Sequence, residues 1–398
     1  MITKTCFFIV LSCGVLSVLC YLGVSIIRIN SWLGLMNKFF KIFAVASMVS
    51  YAFVPSSFAA TTEQILEFRL ERIPEALTDP SRAVLFSPRT DDIVDEEQSA
   101  KNKSEYFELI HNSPNNVAIG YAHNGNIATS FNYQATDSTP FFMYSVTKFV
   151  IGFLVADQVC KGNIDVSKTM GAMSSELSKT AYKDIAFKNV LNMSSGVFYN
   201  AEERNILSYR EITRNGISML EQLSFPKKPH SKPGVKFNYS NYDSNALTFA
   251  VIGSTDKNVA ELFETEIWKN INPSHNGYWA IDASGLPVGA FGLALSASDL
   301  LKVGSFVSNR IRSDECLMDY YNDDGIVVGG DKKGLANWRK HSWVNPQNLN
   351  QFGGMGYGGQ VLMFDISTGN VVFIYSNYAD KYDDNIFRVA WDLLNELR

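Results

Sequence analysis

The sequence predicts an α+β fold: a central antiparallel sheet built from both ends of the chain, flanked by helices, with a mainly helical region inserted between them. Two hairpin signals and one long helical stretch carry this expectation. Asn116–Tyr121 and Asn126–Tyr133 flank His123-Asn124-Gly125, and Asn-Gly between apolar runs favours a tight hairpin turn. Near the other end, Gly359–Ile366 and Asn370–Ser376 flank Ser367-Thr368-Gly369 in the same way. Between them, from residue 145 to about 310, apolar residues recur at helical spacing. Strands at both chain ends with helices between them imply one sheet and an inserted helical lobe, with a groove between.

Taken in order, residues 1–59 form a hydrophobic N-terminal region. Thr5–Ile27 carries no charge and is long enough to span a bilayer. Ile42–Val54 is too short for that, follows Lys38 and Lys41, and leads into small residues at Ser57 and Ala59. A basic start, a short apolar run and a small-residue site are the parts of a secretory signal, read best from Met36 with cleavage after Ala59. Residues 60–114 are a lead-in, with a helix expected over 61–76 and an acidic surface loop over 87–104. The folded body is 115–398. Within it Ser145–Gln158, Lys188–Asn192, Asn245–Ile252, Ser298–Ser308 and Asn385–Leu397 read as helices, with Ser296 or Ser298 placed to cap the fourth.

Composition narrows the function. With 46% hydrophobic and 19% charged residues over 398 positions, the chain can bury a large core. The formal net charge is −5, and the only basic residues before position 60 are Lys4, Arg28, Lys38 and Lys41, leaving 31 basic against 40 acidic residues in the rest. A nucleic-acid partner, which needs a basic footprint, is therefore not expected, and no local basic patch stands out. Of five cysteines, Cys6, Cys13 and Cys20 sit in the first apolar run, so Cys160 and Cys316 alone could form a disulfide in the body. Spacing leaves open whether they do. No CxxC or HExxH occurs and the five histidines are scattered, so no metal and no cofactor is expected.

Three motifs carry chemistry. In Ser145-Val146-Thr147-Lys148, the three-residue spacing on a helix brings a hydroxyl and an amine to one face. The apolar flanks would desolvate Lys148, lowering its pKa so that it can act as a base towards Ser145. Ser224…Lys227 and Ser254…Lys257 share the spacing but start no buried helix. Tyr239-Ser240-Asn241 on a loop entering a helix would aim a phenol and an amide into the same cleft. Gly353-Gly354-Met355-Gly356-Tyr357-Gly358-Gly359-Gln360 lets a backbone approach a substrate closely and offer N–H groups to an oxyanion.

These motifs, in this order and spacing, resemble the serine β-lactamase and penicillin-binding superfamily, and most closely its class C-like branch with esterases and aminohexanoate-dimer hydrolases. SVTKFVIGFLVADQVCKGNIDVSKTM, IAFKNVLNMSSGVFY, PGVKFNYSNYDSNAL and GAFGLALSASDLLKVGSFV extend the resemblance over residues 115 to 380. It implies the β-lactamase/transpeptidase-like fold, with Ser145 as nucleophile, Lys148 as general base and Tyr239 as proton relay. The backbone N–H groups of Ser145 and Tyr357 would form the oxyanion hole, and Asn241, Tyr199, Gly356, Gly358 and Gly359 would contact substrate. One departure matters: where penicillin-recognising members carry Lys-Thr-Gly, this chain has Gly354-Met355-Gly356. That missing cation counts against penicillins and D-Ala-D-Ala peptides, although Lys332 or Arg339 is near enough in sequence to compensate.

The expected function is an exported, periplasmic or membrane-anchored serine hydrolase that cleaves a small or peptide-like amide or ester through an acyl-enzyme. Membrane contact would run through the N-terminal segment if it is retained. A D-Ala-D-Ala carboxypeptidase or class C-like β-lactamase is the enzymatic alternative, and a membrane-tethered peptide-binding module is the non-enzymatic one.

Overall fold

The computed structural model describes residues 6–10, 16–20, 83–88, 115–197, 216–322, 334–376 and 385–397, with single positions at 108, 112 and 212. The chain divides into two compact units, Met1–Thr61 and Thr62–Arg398. In the first, β1 (Cys6–Val10) pairs antiparallel with β2 (Leu16–Cys20), Cys6 opposite Cys20. The described part of the uncharged run Thr5–Ile27 is thus extended chain, consistent with the strand preference of Phe7, Phe8, Ile9 and Val10. Among the described residues no helix is long and apolar enough to cross a membrane. The apolar run Ile42–Val54, the cleavage site after Ala59, the helix expected over 61–76 and all but the start of the loop over 87–104 lie outside the described residues.

The second unit is built on two antiparallel sheets. Its strands are β3 (Ala83–Phe86), β4 (Asn116–His123), β5 (Asn126–Phe131), β6 (Phe141–Phe142), β7 (Gly277–Ala280), β8 (Leu293–Leu295), β9 (Asn337–Arg339), β10 (Ser342–Asn345), β11 (Asn348–Gly356), β12 (Gln360–Asp365) and β13 (Val371–Ser376). The larger sheet runs β5-β4-β13-β12-β11-β10-β9. Both expected hairpins are present, and β13 pairs with β4, Phe373 opposite Gly120, so the sheet is closed from the two ends of the chain. The smaller sheet, β3-β7-β8-β6, was not expected. Its strands are two to four residues long, too short for an alternating pattern to register.

The helices that matter here are α1 (Thr147–Cys160), α2 (Asn241–Thr255), α3 (Val259–Glu266), α4 (Ala297–Ser313), α5 (Glu315–Asn322) and α6 (Asn385–Glu396). Alternation along the central strands separates two cores. Val371, Phe373, Tyr375, Leu362 and Phe364 join the cluster containing α1 and α4, while Val372, Ile374, Val361 and Met363 join the one containing α6. Every residue of α1 from Thr147 to Gln158 is buried. A helix covered on all sides belongs at the centre of a domain, and this one carries Lys148. Ser296 caps α4 by accepting from the Asp299 N–H at 3.1 Å.

Two ties hold the helical lobe in register. Cys160, the last residue of α1, forms a disulfide with Cys316 at the start of α5, with the Cα atoms 5.8 Å apart. The β9–β10 turn, with Lys340 and His341 both at positive φ, docks on the lobe through fully buried His341. Its Nδ1 lies 3.1 Å from the Leu191 carbonyl and its Nε2 2.9 Å from Ser244 Oγ. A carbonyl only accepts, so Nδ1–H donates to Leu191. Burial pushes its pKa down to about 3, so the imidazole is neutral and Nε2 accepts from the Ser244 hydroxyl.

Replacing Cys160 by Ser should lower stability by about 2–4 kcal/mol, read from denaturant unfolding, because a loop of 156 residues is released in the unfolded chain. An unchanged midpoint would contradict that tie. For His341, both folded and unfolded chains are neutral above pH 6.5. On acidification the unfolded chain takes up the proton first, so stability falls from about pH 6.5 towards about 3. Comparing urea midpoints at neutral and mildly acidic pH, His341→Gln should lose part of this acid sensitivity. An equal drop in both proteins would contradict the assignment.

Candidate active site

Ser145 sits where the chain leaves β6 and turns into α1. The turn Tyr144–Val146 is a single 3-10 turn, and Tyr144 holds φ +45°, a left-handed conformation that an aromatic residue rarely adopts. It places Ser145 half-buried at the head of a covered helix, one turn from Lys148. Lys148 is 1% exposed. Its Nζ lies 2.9 Å from Ser145 Oγ, 2.8 Å from Asn241 Oδ1 and 2.7 Å from the Ala290 carbonyl. Burial drives its pKa well below the ordinary lysine value of 10.5. A neutral amine has two N–H groups and one lone pair. Two of its three neighbours can only accept, so the N–H groups go to Asn241 and Ala290 and the lone pair faces the Ser145 hydroxyl.

The second motif arrives on the N-terminus of α2. Ser240 caps the helix by accepting from Tyr242 N–H at 3.1 Å, which leaves Asn241 in the first turn, aimed at Lys148. Tyr239, just before the cap, stacks on Trp343 at 5.5 Å between centroids and meets Trp338 edge-on at 5.3 Å. Lys148 Nζ is 5.1 Å from the centre of the Tyr239 ring, so phenol, amine and hydroxyl share one pocket. Buried Asp243, in the same first turn, accepts from Tyr182 Oη at 2.7 Å and from Ser195 Oγ. This ties the Ser194-Ser195-Gly196 turn to the helix end.

The third motif joins β11 to β12. Gly359 N–H donates to the Gly356 carbonyl at 3.2 Å, and the Gly359 carbonyl accepts from Ser376 N–H at 3.2 Å. Gln360 Nε2 donates to the Ser376 carbonyl at 3.0 Å, which anchors the turn from below. Tyr357 at its tip is 43% exposed, with its ring 6.3 Å from that of Tyr144. A side chain at Gly354 would meet Val146 Cα at 2.8 Å, and one at Gly356 would meet the Met143 carbonyl at 2.5 Å. Both glycines let β11 lie directly against the nucleophile turn, so no lysine fits at position 354 on this backbone.

The structure thus brings together Ser145, Lys148, Tyr239 and Asn241 and sets the Gly356–Gly359 turn beside them. Tyr199 and Lys332 lie outside the described residues. Buried Arg339 donates to the Leu349 carbonyl at 2.9 Å and lies over the Phe352 ring, so its charge is engaged within the fold. Lys227 reaches the Ser224 carbonyl, on the surface, which removes that competing Ser-x-x-Lys. Three contributors escaped the sequence reading: the Ala290 carbonyl, the Trp338–Trp343 wall and His341. Ala290 is fixed by its N–H donating to Asn245 Oδ1 at 3.0 Å, with Asn245 Nδ2 donating to Gln222 Oε1 at 3.1 Å. The Gly289 and Gly292 flanks were its only signal. Among the described residues no group of three His, Cys, Asp or Glu is placed to hold a metal. A polar depression of about 700 Å³ lined by Asn345, Asn348, Thr368 and Asn395 among others sits at the far end of β11, roughly 25 Å from the nucleophile turn along the strand.

Comparison with known proteins agrees with this geometry. The 6-aminohexanoate-dimer hydrolase of Paenarthrobacter ureafaciens is 19% identical over 259 residues, covering 60% of this chain and 66% of that protein. A solved Bacillus anthracis structure, provisionally named a 6-aminohexanoate-dimer hydrolase, superposes with a TM-score of 0.69 at 18% identity, covering 86% of this chain and 98% of its own. A penicillin-binding protein from Bacillus halodurans gives 0.57 at 13% identity, over 73% and 99% of the two chains. The family described as Beta-lactamase matches residues 112–394. With the fold, the serine-lysine pair and that match in agreement, the chain belongs to the beta-lactamase family of serine hydrolases.

Proposed function

We propose that this protein is an exported serine hydrolase that cleaves an amide or ester through an acyl-enzyme on Ser145. The observation that carries the reading is Lys148, buried, with two carbonyls taking its N–H groups and its third side 2.9 Å from Ser145 Oγ. The amine lone pair accepts the hydroxyl proton as Oγ attacks the substrate carbonyl carbon. The oxyanion then accepts from the backbone N–H groups of Ser145 and Tyr357. The Tyr239 phenol passes the proton from Lys148 to the leaving nitrogen or oxygen as the bond to it breaks. Water attacks the acyl-serine by the reverse proton route, releases the acid and restores Ser145. Asn241 fixes the amine, and Gly356, Gly358 and Gly359 let the substrate backbone or chain approach the turn.

Two observations support the finer parts. The close approach of Gly354 to Val146 leaves no room for a lysine at that position, which favours substrates without a carboxylate next to the scissile bond over penicillins and D-Ala-D-Ala peptides. A disulfide in the body suits an oxidising compartment, and with the charge-free N-terminal run it supports export, through a cleaved signal or a retained anchor.

Ser145→Ala should abolish hydrolysis of a nitrophenyl ester while circular dichroism stays unchanged; retained turnover would refute the nucleophile. Lys148→Met should lower kcat/KM by about 10³-fold or more. In the wild-type enzyme kcat/KM should rise with pH through a pKa well below 10.5 and then level off, since the amine works only when unprotonated. A limb at the ordinary lysine value would contradict the mechanism. Cephalosporin turnover should be slow or absent, and brisk turnover would overturn the substrate argument.

A further inference from the structure

The loop that delivers Tyr239 is basic, contrary to the expectation of no local basic patch, a feature hidden by the acidic balance of the chain. Lys227, Lys228, Lys232 and Lys236 fall within ten residues, and no Asp or Glu occurs from 222 to 242. All four are exposed, and none forms an ion pair among the described residues. The loop is nonetheless held firmly. His230 N–H donates to the Gly196 carbonyl at 2.8 Å, Gly234 N–H to Ser194 at 2.8 Å and Asn238 N–H to Met193 at 2.6 Å. Gly196, at φ +73°, has the Ser231 carbonyl 2.3 Å from where a Cβ would stand, so the two segments touch backbone to backbone. Lys188 is exposed beside this loop, one residue before Asn189, whose side chain lies against Gly234.

Five exposed lysines without an ion pair among the described residues therefore lie on the loop that delivers Tyr239 and on the segment packed against it, while the backbone at Gly354 has no room for a lysine. Clustered charge at a cleft mouth raises the local concentration of an oppositely charged substrate. We propose that this lysine strap recognises an anionic group carried by the substrate at a distance from the scissile carbonyl. The substrate class is then an amide or ester with a remote acidic end, and the proposal rests on the Ser145 hydrolase reading. A membrane surface fits less well, because Val235 is the one large apolar side chain strongly exposed on the strap.

The test compares nitrophenyl octanoate with the mono-nitrophenyl ester of suberic acid, using the full chain. The ratio of kcat/KM for the anionic over the neutral ester should fall several-fold from low to high salt. It should also fall on the order of five-fold in a variant carrying Lys227→Gln, Lys228→Gln, Lys232→Gln and Lys236→Gln. A ratio indifferent to both salt and substitution overturns the proposal. So does lysine-dependent sedimentation with anionic phosphatidylglycerol vesicles when the ester ratio is unchanged, which would assign the strap to a membrane. If neither ester is turned over, the hydrolase reading has failed by itself. The strap is then read by calorimetric titration of the Ser145→Ala protein with monomethyl suberate: salt-sensitive binding lost in the lysine variant supports it, and absence of binding overturns it.

Discussion

A lysine amine stripped of water is the constraint around which this molecule is arranged. Lys148 is among the largest fully buried side chains, and it lies among two carbonyls and a hydroxyl with no carboxylate in contact among the described residues. An ammonium there would lack the counter-charge that burial demands, so the neutral form is favoured. Each neighbouring element serves that state. Helix α1 is covered along its length, α2 begins at the residue whose amide takes one N–H, and the Gln222–Asn245–Ala290 chain holds the carbonyl that takes the other. The rings of Tyr239, Trp338 and Trp343 pack on one another beside the amine, with the Tyr239 ring centre 5.1 Å from Nζ.

The same logic accounts for His341. A protonated imidazole near Lys148 would add an unfavourable charge to an already desolvated pocket. Burial keeps the ring neutral, with one hydrogen bond to a carbonyl and one from a hydroxyl. The β9–β10 turn can thus brace α2 and the Leu191 segment without disturbing the base, at the expense of two strained backbone positions, Lys340 and His341.

Much of this was legible from local sequence, for reasons that also explain what was not. Hairpins at 116–131 and 360–376 announce themselves through alternation and Gly-containing turns, and Ser145…Lys148 is readable because a helix turn joins residues three apart. The small sheet was not legible, since strands of two to four residues have no period to detect. Neither was the role of Ala290, because a backbone carbonyl has no side-chain signature and its partner Lys148 is 142 residues away. His341 and Trp343 lie 97 and 104 positions from Ser244 and Tyr239, and only the fold brings them together. The lysine strap was overlooked for a different reason: a net charge sums over the surface and conceals where like charges are concentrated.

The central claim concerns the protonation state of one amine, and it can be read directly. Heteronuclear NMR of protein labelled at the lysine side chains, with the Lys148 signal identified by its loss in Lys148→Met, follows that amine through a pH titration. The account predicts a neutral amine at pH 8, with a midpoint well below 10.5. A signal that stays ammonium until the ordinary lysine range would leave Ser145 without a base and contradict the account.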